Sequence, residues 1–160
     1  MIPLFLSLTG FNLLCLGITC ALGYGVSNGY AWGPWHQLAG ALATIICCAV
    51  HCVVFTYFVA TAKWVQHAIR VKSLDATLEH PTRSFKAQAF PAALTAMAIV
   101  FITAVAGAAT FSYHLRPLTH HVLALASIAL NAISAAIEYR AIARNGRLID
   151  HILADIASRE

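Results

Sequence analysis

The chain has 160 residues, of which 60% are hydrophobic and 10% charged, with a formal net charge of +4 and a mean hydropathy of +0.75. A soluble domain carries roughly 25% charged residues, whereas this chain has no Lys, Arg, Asp or Glu before Lys63. The composition excludes a soluble enzyme, a disordered tail, a nucleic-acid-binding protein and a disulfide-stabilised scaffold. It predicts an all-α integral membrane protein.

The distribution of charge predicts four transmembrane helices. Charge-free runs cover residues 1–62, 87–115 and 117–137, and a helix needs about 20 apolar residues to cross the hydrocarbon core. Gly, Ser, Asn and Pro residues in the middle of the first run divide it in two, and Pro91 and Pro117 suit a first helical turn. With short connections, these segments predict an up-down-up-down bundle of helices at about 2–24, 37–62, 90–113 and 118–139.

The Lys and Arg residues predict the orientation of the helices. Nine of the ten follow the second or the fourth predicted helix, and only Arg116 lies on the other side. Because cytoplasmic segments carry the excess of Lys and Arg, we expect both termini in the cytoplasm, at a bacterial-type inner membrane. The positive charge then faces anionic lipid rather than nucleic acid.

Two segments are expected on the cytoplasmic side of the membrane. The first is a loop over 63–89, in which the helical period continues beyond Lys63 but residues 75–90 are polar and expected to be irregular. The second is an amphipathic tail over 140–160. Its Asn145-Gly146 pair is expected to bend or break the helix, since Gly costs about 1 kcal/mol in a helix interior.

The tail is expected to bind another membrane-protein subunit. Its apolar stripe cannot be buried by a single helix, and the extension of the second helix offers only a few apolar side chains in return. Acidic and basic residues mix on the other face of the tail, which favours a protein over anionic lipid as the partner. The predicted partner-binding residues are Trp64, Leu148, Ile149, Ile152, Leu153 and Ile156.

His51 is the candidate site residue nearest to the middle of the bilayer, where ionisable residues are costly and often functional. A haem b iron with two axial histidines would need a second His at this depth, but His120 and His121 lie about 21 Å away along the helix axis. A haem or pigment held by His51 alone stays open. The simpler interpretation is a neutral His, hydrogen-bonded to Thr, Asn or a carbonyl inside the bundle.

Cys48, His51 and Cys52 share one helical face at i, i+3 and i+4. Thiolate and imidazole ligands suit Cu(I) or Zn, which would make the chain a metal-ion transporter. All five cysteines lie within residues 15–52, so no second thiol group is available on the cytoplasmic side to receive a metal. Buried Cys also packs as a small apolar residue, and packing is the alternative role.

Histidines and aromatic residues gather at the outer end of the predicted bundle. Trp and Tyr concentrate at membrane surfaces, so an interfacial belt is the simplest explanation. The alternatives are a metal, haem b or quinone site, with His36 paired to His120 or His121 as the best arrangement. The members of this cluster are Tyr30, Trp32, Trp35, His36, Tyr113, His114, Arg116, His120 and His121.

A polar stripe is predicted on one face of the fourth helix, at His120, Ser127, Asn131, Ser134 and Glu138. Such residues usually make interhelical hydrogen bonds, and a proton relay is the alternative. Glu138 stands beside Tyr139 and Arg140 and is expected at the inner membrane surface, without deep burial.

These patterns predict a function only in outline. No nucleotide-binding, nucleophile, zinc-protease or paired-carboxylate motif is present, and no internal repeat is evident. We therefore expect a non-catalytic accessory subunit of a larger respiratory or photosynthetic electron-transfer complex, with bound lipid. The alternatives are a small membrane redox protein that holds haem b or quinone at the outer cluster, and a metal-ion transporter.

Overall fold

The computed structural model describes residues 1–113 and 116–159. These residues form four long helices and no strand, and the helices are long and apolar enough to cross a membrane. A short 3₁₀ helix lies between the second and the third. The elements are α1 (Ile2–Ser27), α2 (Gly33–Lys72), the 3₁₀ helix (Ala76–Glu79), α3 (His80–Ser112) and α4 (Pro117–Ser158).

Proline stands in the first turn of each long helix, where its missing N–H has no partner to lose. α1 ends before Gly29, whose φ of 87° is left-handed and suits glycine. α2 ends at Ser73, which is also left-handed. Asp75 then begins the 3₁₀ helix by accepting a hydrogen bond from the Thr77 backbone N–H at 2.8 Å, and this bond lowers the pKa of the Asp75 carboxyl.

The helices pack in a ring in which α1 and α3 each contact both α2 and α4. α2 and α4 meet only over a short stretch, and within the described residues α1 and α3 do not contact each other. The α1–α2 and α3–α4 turns lie at one end, because His36 and His120 are in contact there. We call this the histidine end and the opposite end, with Lys63 and Arg147, the basic end.

The region between the two predicted central helices is more helical than expected. α2 continues to Lys72, and α3 begins at His80, ten residues before its predicted start. Pro91 therefore lies inside α3, while Pro81 occupies the first turn. Pro81 offers the same first-turn geometry as Pro91, and the sequence alone does not distinguish them. The helical extension predicted beyond Lys63 is present, whereas the segment 75–90, which was expected to be irregular, forms the 3₁₀ helix and the first turns of α3.

α4 is continuous through Asn145 and Gly146, where a bend or break was expected. The side chain of Asn145 is buried and donates hydrogen bonds to Tyr57 Oη at 3.1 Å and Thr61 Oγ1 at 3.0 Å. These tertiary bonds hold the residue in the helix and outweigh the weak local preference of Asn-Gly against helix.

The two helical hairpins, α1–α2 and α3–α4, repeat one another with an offset of 84 residues, although no repeat is evident from the sequence alone. α2 begins at residue 33 and α4 at residue 117. Buried positions recur at the same offset: Phe5 and Ala89, Asn12 and Ala96, Leu16 and Val100, Ala43 and Ser127, Cys47 and Asn131, Val50 and Ser134, Val54 and Glu138, Phe58 and Ile142, and Ala68 and Ile152. The side chains differ in all nine of these pairs, but both members of each pair are buried.

Candidate functional site

The structure brings His36 and His120 together at the histidine end. Their ring centroids lie 6.0 Å apart with an interplanar angle of 74°. His36 belongs to the first turn of α2, and His120 belongs to the first turn of α4. The two imidazole rings thus meet between α2 and α4, which lie on opposite sides of the four-helix arrangement.

Each of these histidines is held by a backbone carbonyl of the preceding helix. His36 Nδ1 lies 3.0 Å from the Thr19 carbonyl oxygen, and His120 Nδ1 lies 3.1 Å from the Thr103 carbonyl oxygen. A carbonyl oxygen only accepts, so Nδ1 must carry the proton in both rings. Nε2 of each neutral imidazole is then left with a free lone pair.

A glycine admits each histidine ring against the preceding helix. A Cβ atom at Gly23 would lie 2.9 Å from Cε1 of His36, and a Cβ atom at Gly107 would lie 2.8 Å from Cε1 of His120. Thr19, Gly23 and His36 have the same spacing as Thr103, Gly107 and His120. This Thr–Gly–His pattern is the sequence signal that could have revealed the repeat of the two hairpins.

The separation of the two ring centroids is close to that of two imidazoles that hold one metal. Two metal–nitrogen bonds of about 2.0 Å, with half of an imidazole ring on either side, separate the ring centroids by about 6 Å. Histidine ligands usually donate their other ring N–H to a carbonyl or carboxylate, which fixes the tautomer. Both rings already make that bond. Two histidines alone do not complete a coordination shell, but haem supplies the other four nitrogen ligands itself.

The other members of the predicted outer cluster are only partly involved. His121 Nε2 lies 2.8 Å from the Tyr24 hydroxyl group, and His121 thereby links α4 to α1. Tyr30 and Trp32 stack on each other, while Trp35 is exposed. Exposed aromatic residues at a helix end suit a membrane surface. His114 lies outside the described residues.

His51 is paired with a carboxylate rather than with Thr, Asn or a carbonyl. Its Nδ1 lies 2.8 Å from Glu138 Oε1, and both side chains are buried in the core. The expectation that Glu138 is not deeply buried is therefore wrong. Its neighbours Tyr139 and Arg140 are exposed, whereas Glu138 itself continues the buried face of Asn131 and Ser134.

The predicted polar stripe on α4 faces the inside of the protein and makes interhelical hydrogen bonds. Ser127 Oγ lies 2.7 Å from Thr103 Oγ1, Ser134 donates to the Ala92 carbonyl, and Asn131 accepts from Asn12 at 3.0 Å. These bonds join α4 to α1 and α3.

The structure does not gather Cys48, His51 and Cys52 into a metal site. Cys52 is exposed and Cys48 is half-buried, while His51 is bound to Glu138. Nowhere in residues 1–113 and 116–159 do three His, Cys, Asp or Glu side chains form a cluster that could hold a metal ion.

Much of the predicted partner-binding face is covered by the chain itself. Ile152 is fully buried against Val65, Ala68 and Leu74, and Leu148 and Ile156 pack beside it. The extension of α2, which the helical period beyond Lys63 predicted, and the 3₁₀ segment supply this cover. The contribution of the 3₁₀ segment was not expected, because residues 75–90 were expected to be irregular. Ile149 is half-buried, and Trp64 and Leu153 remain exposed.

Comparison of the chain with protein-family models, curated proteins and solved structures gives no match. The geometry of the histidine end and of the His51–Glu138 pair therefore carries the functional argument.

Proposed function

We propose that the four helices cross a membrane as an up-down-up-down bundle, with the basic end and both termini in the cytoplasm of a bacterial-type cell. Exposed apolar side chains such as Leu14, Ile45 and Phe101 support insertion into lipid. The nine-to-one distribution of Lys and Arg supports this orientation.

The orientation can be tested with a reporter enzyme fused after Ser158. A reporter that is active only in the cytoplasm should be active there, and a reporter that is active only in the periplasm should be silent. The opposite pattern would reverse the assignment of both ends.

We propose further that the chain is a small membrane redox protein that binds one haem b between His36 and His120. The single observation that carries this proposal is the His36–His120 pair, in which each Nδ1 is fixed by a carbonyl and the ring centroids are 6.0 Å apart. The repeat of the two hairpins gives both histidines equivalent surroundings, which suits two histidines that would hold one haem together.

In this proposal the protein residues have separate roles. The imidazoles of His36 and His120 would hold the haem through Nε2, and the carbonyls of Thr19 and Thr103 would keep both rings in the tautomer that can bind. A haem would supply one-electron chemistry. The expected activity is therefore electron transfer.

The proposal is tested by the visible spectrum of the protein purified from cells with ample haem. The wild-type protein should show a reduced-minus-oxidised haem band, and His36→Ala or His120→Ala should abolish it. The exposed residues His67 and His151 are also 84 residues apart, and their replacement by Ala is the matched control. A colourless wild-type protein, or full haem content in either ligand variant, would contradict the proposal.

An accessory role in a larger electron-transfer complex has less support from the geometry. Burial of Ile152 within the chain leaves Trp64 and Leu153 as the exposed members of the predicted partner-binding face. Quinone binding at the histidine end would use the same histidines, but the Nε2 lone pairs fit a metal better than a carbonyl headgroup, because both are acceptors.

A further inference from the structure

The buried pair of His51 and Glu138 has no role in the proposed haem site. Their side chains meet through Nδ1 and Oε1, while His51 Nε2 and Glu138 Oε2 are buried without a hydrogen-bond partner among the described residues. Buried polar atoms are nearly always satisfied by protein or by ordered water. Each of these two atoms can therefore form one more hydrogen bond, to a proton donor or acceptor such as a water molecule.

The surroundings favour a pair with no net charge. α1 contains no Lys, Arg, Asp or Glu, and α3 contains none after Lys86. Lys86 is half-buried, and no ion pair joins it to Glu138 in the described structure. Cys47 of α2 is the other titratable group near the carboxylate. A charge in an apolar core is costly, so we expect the His51–Glu138 pair to carry no net charge. A pair without net charge holds two exchangeable protons, shared among Nδ1 and Nε2 of His51 and the two carboxyl oxygens of Glu138.

Two further groups of polar side chains, here called polar levels, lie on the same face of α4. One is centred on Asn131 and the other on Asn145, on either side of the His51–Glu138 pair. Asn131, Glu138 and Asn145 are seven residues apart, which corresponds to about 10.5 Å of helix rise. Asn131 Oδ1 accepts from Asn12 at 3.0 Å and from Cys47 at 3.4 Å. Each level also contains a buried acceptor without a protein partner, Asn12 Oδ1 on one side and Asn145 Oδ1 on the other.

The polar groups continue to both ends of the helices. Towards the histidine end, Asn131 donates to the Ser127 carbonyl, and the Ser127 hydroxyl contacts Thr103, whose carbonyl holds His120. Towards the basic end, Asn145 donates to Tyr57 and Thr61. From residue 120 to residue 145, α4 rises by about 37 Å, which exceeds the roughly 30 Å of a hydrocarbon core.

We propose that protons pass between the two ends of the helices along this row of polar groups, with the His51–Glu138 pair as its central proton-exchanging site. The Asn side chains and carbonyls would hydrogen-bond the water that carries the protons and would not exchange protons themselves. Ionisable residues inside membrane helices commonly mark such relays. The unpartnered acceptors beside the pair are where water would link it to the neighbouring levels.

The transfer balances at the pair. In the pair without net charge, Nε2 of His51 carries one proton and Oε1 of Glu138 donates the other to Nδ1. His51 releases the Nε2 proton towards one end while the Oε1 proton crosses to Nδ1, and a proton from the other end then binds Oε2 of the resulting Glu138 carboxylate. Rotation of the carboxyl group and of the imidazole ring restores the first arrangement. One proton has moved, the charge of the pair is unchanged, and no oxidant or reductant is needed.

The test measures proton entry into phosphatidylcholine vesicles that contain the full chain and an internal pH-sensitive dye, with valinomycin and potassium to balance charge. After an external pH step, wild-type vesicles should equilibrate faster than protein-free vesicles. Glu138→Gln should be as slow as protein-free vesicles, because an amide does not exchange a proton in this way. Ser134→Ala, a change one turn away on the same face, is the matched control and should keep the flux.

A second variant tests whether misfolding of Glu138→Gln explains its loss of flux. His51→Asn keeps a donor to Glu138 but has no second ring nitrogen, and it should also abolish the flux while helical circular dichroism stays unchanged. A wild-type rate equal to that of protein-free vesicles, or a wild-type rate in both variants, would overturn the inference. The inference is independent of haem, since His36→Ala should lose the haem band and keep the flux.

Discussion

Glu138→Leu should lower the free energy of unfolding by about 1–3 kcal/mol, because it leaves the buried His51 ring without its hydrogen-bond partner. Glu138 is fully buried, and its Oε1 atom is the only described hydrogen-bond partner of the His51 ring. The measurement is reversible denaturation in detergent micelles, followed by helical circular dichroism.

The double variant His51→Leu/Glu138→Leu distinguishes a broken pair from a damaged core. Replacing both members of a buried pair by apolar residues is often neutral or stabilising, so the double variant should recover most of the stability lost by Glu138→Leu. A double variant no more stable than Glu138→Leu would mean that the leucine at 138, rather than the unpaired histidine, causes the loss.

Gly23→Ala and Gly107→Ala should each displace a histidine ring and reduce the haem content to that of the His36→Ala variant. The new Cβ atom would lie 2.9 Å from His36 Cε1 or 2.8 Å from His120 Cε1, closer than carbon atoms pack. The ring must move away from the carbonyl that holds it, and overpacking of this kind typically costs about 1–3 kcal/mol.

Gly17→Ala is the matched control for this experiment, because it lies on α1 and a Cβ atom there meets nothing within 4 Å. Haem content, measured by the visible spectrum of equal amounts of protein, should be normal in this variant. If the Gly23 and Gly107 variants also keep full haem content, the two rings do not need their present position against α1 and α3.

The sequence predicted the four long apolar helices because long charge-free runs leave few other structures. Pairing of His36 with His120 or His121 was one alternative for the outer cluster, beside an interfacial belt. The structure brings His36 and His120 together, because short connections at one end bring the first turns of α2 and α4 together. The sequence-based prediction was wrong about the segment before Phe90. Helix propensity in this segment is weak. Packing of Leu74 and Leu78 against Ile152 stabilises it, and a contact between distant parts of the chain cannot be predicted from a local sequence pattern.

Glu138 shows why burial of a charged residue is hard to predict from its neighbours. Tyr139 and Arg140 suggested a membrane surface, but a helix turns by about 100° per residue, so adjacent residues face different surroundings. The spacing from Ser127 to Glu138 was the better signal, because it places the carboxylate on the same face as three buried polar residues. The partner of Glu138 lies on another helix, 87 residues away, beyond the reach of any local pattern.

Because the two repeated hairpins belong to one polypeptide, their matching positions can carry different residues. Two identical chains do not allow such differences. His36 and His120 are equivalent, so a symmetric pair of either hairpin alone would also bring two histidines together. His51 and Glu138 are not equivalent, because Ala135 and Val54 stand at the matching positions. Identical hairpins would carry every ionisable group twice. Joining two unlike copies in one chain allows a single acid–base pair in the interior beside a symmetric histidine pair.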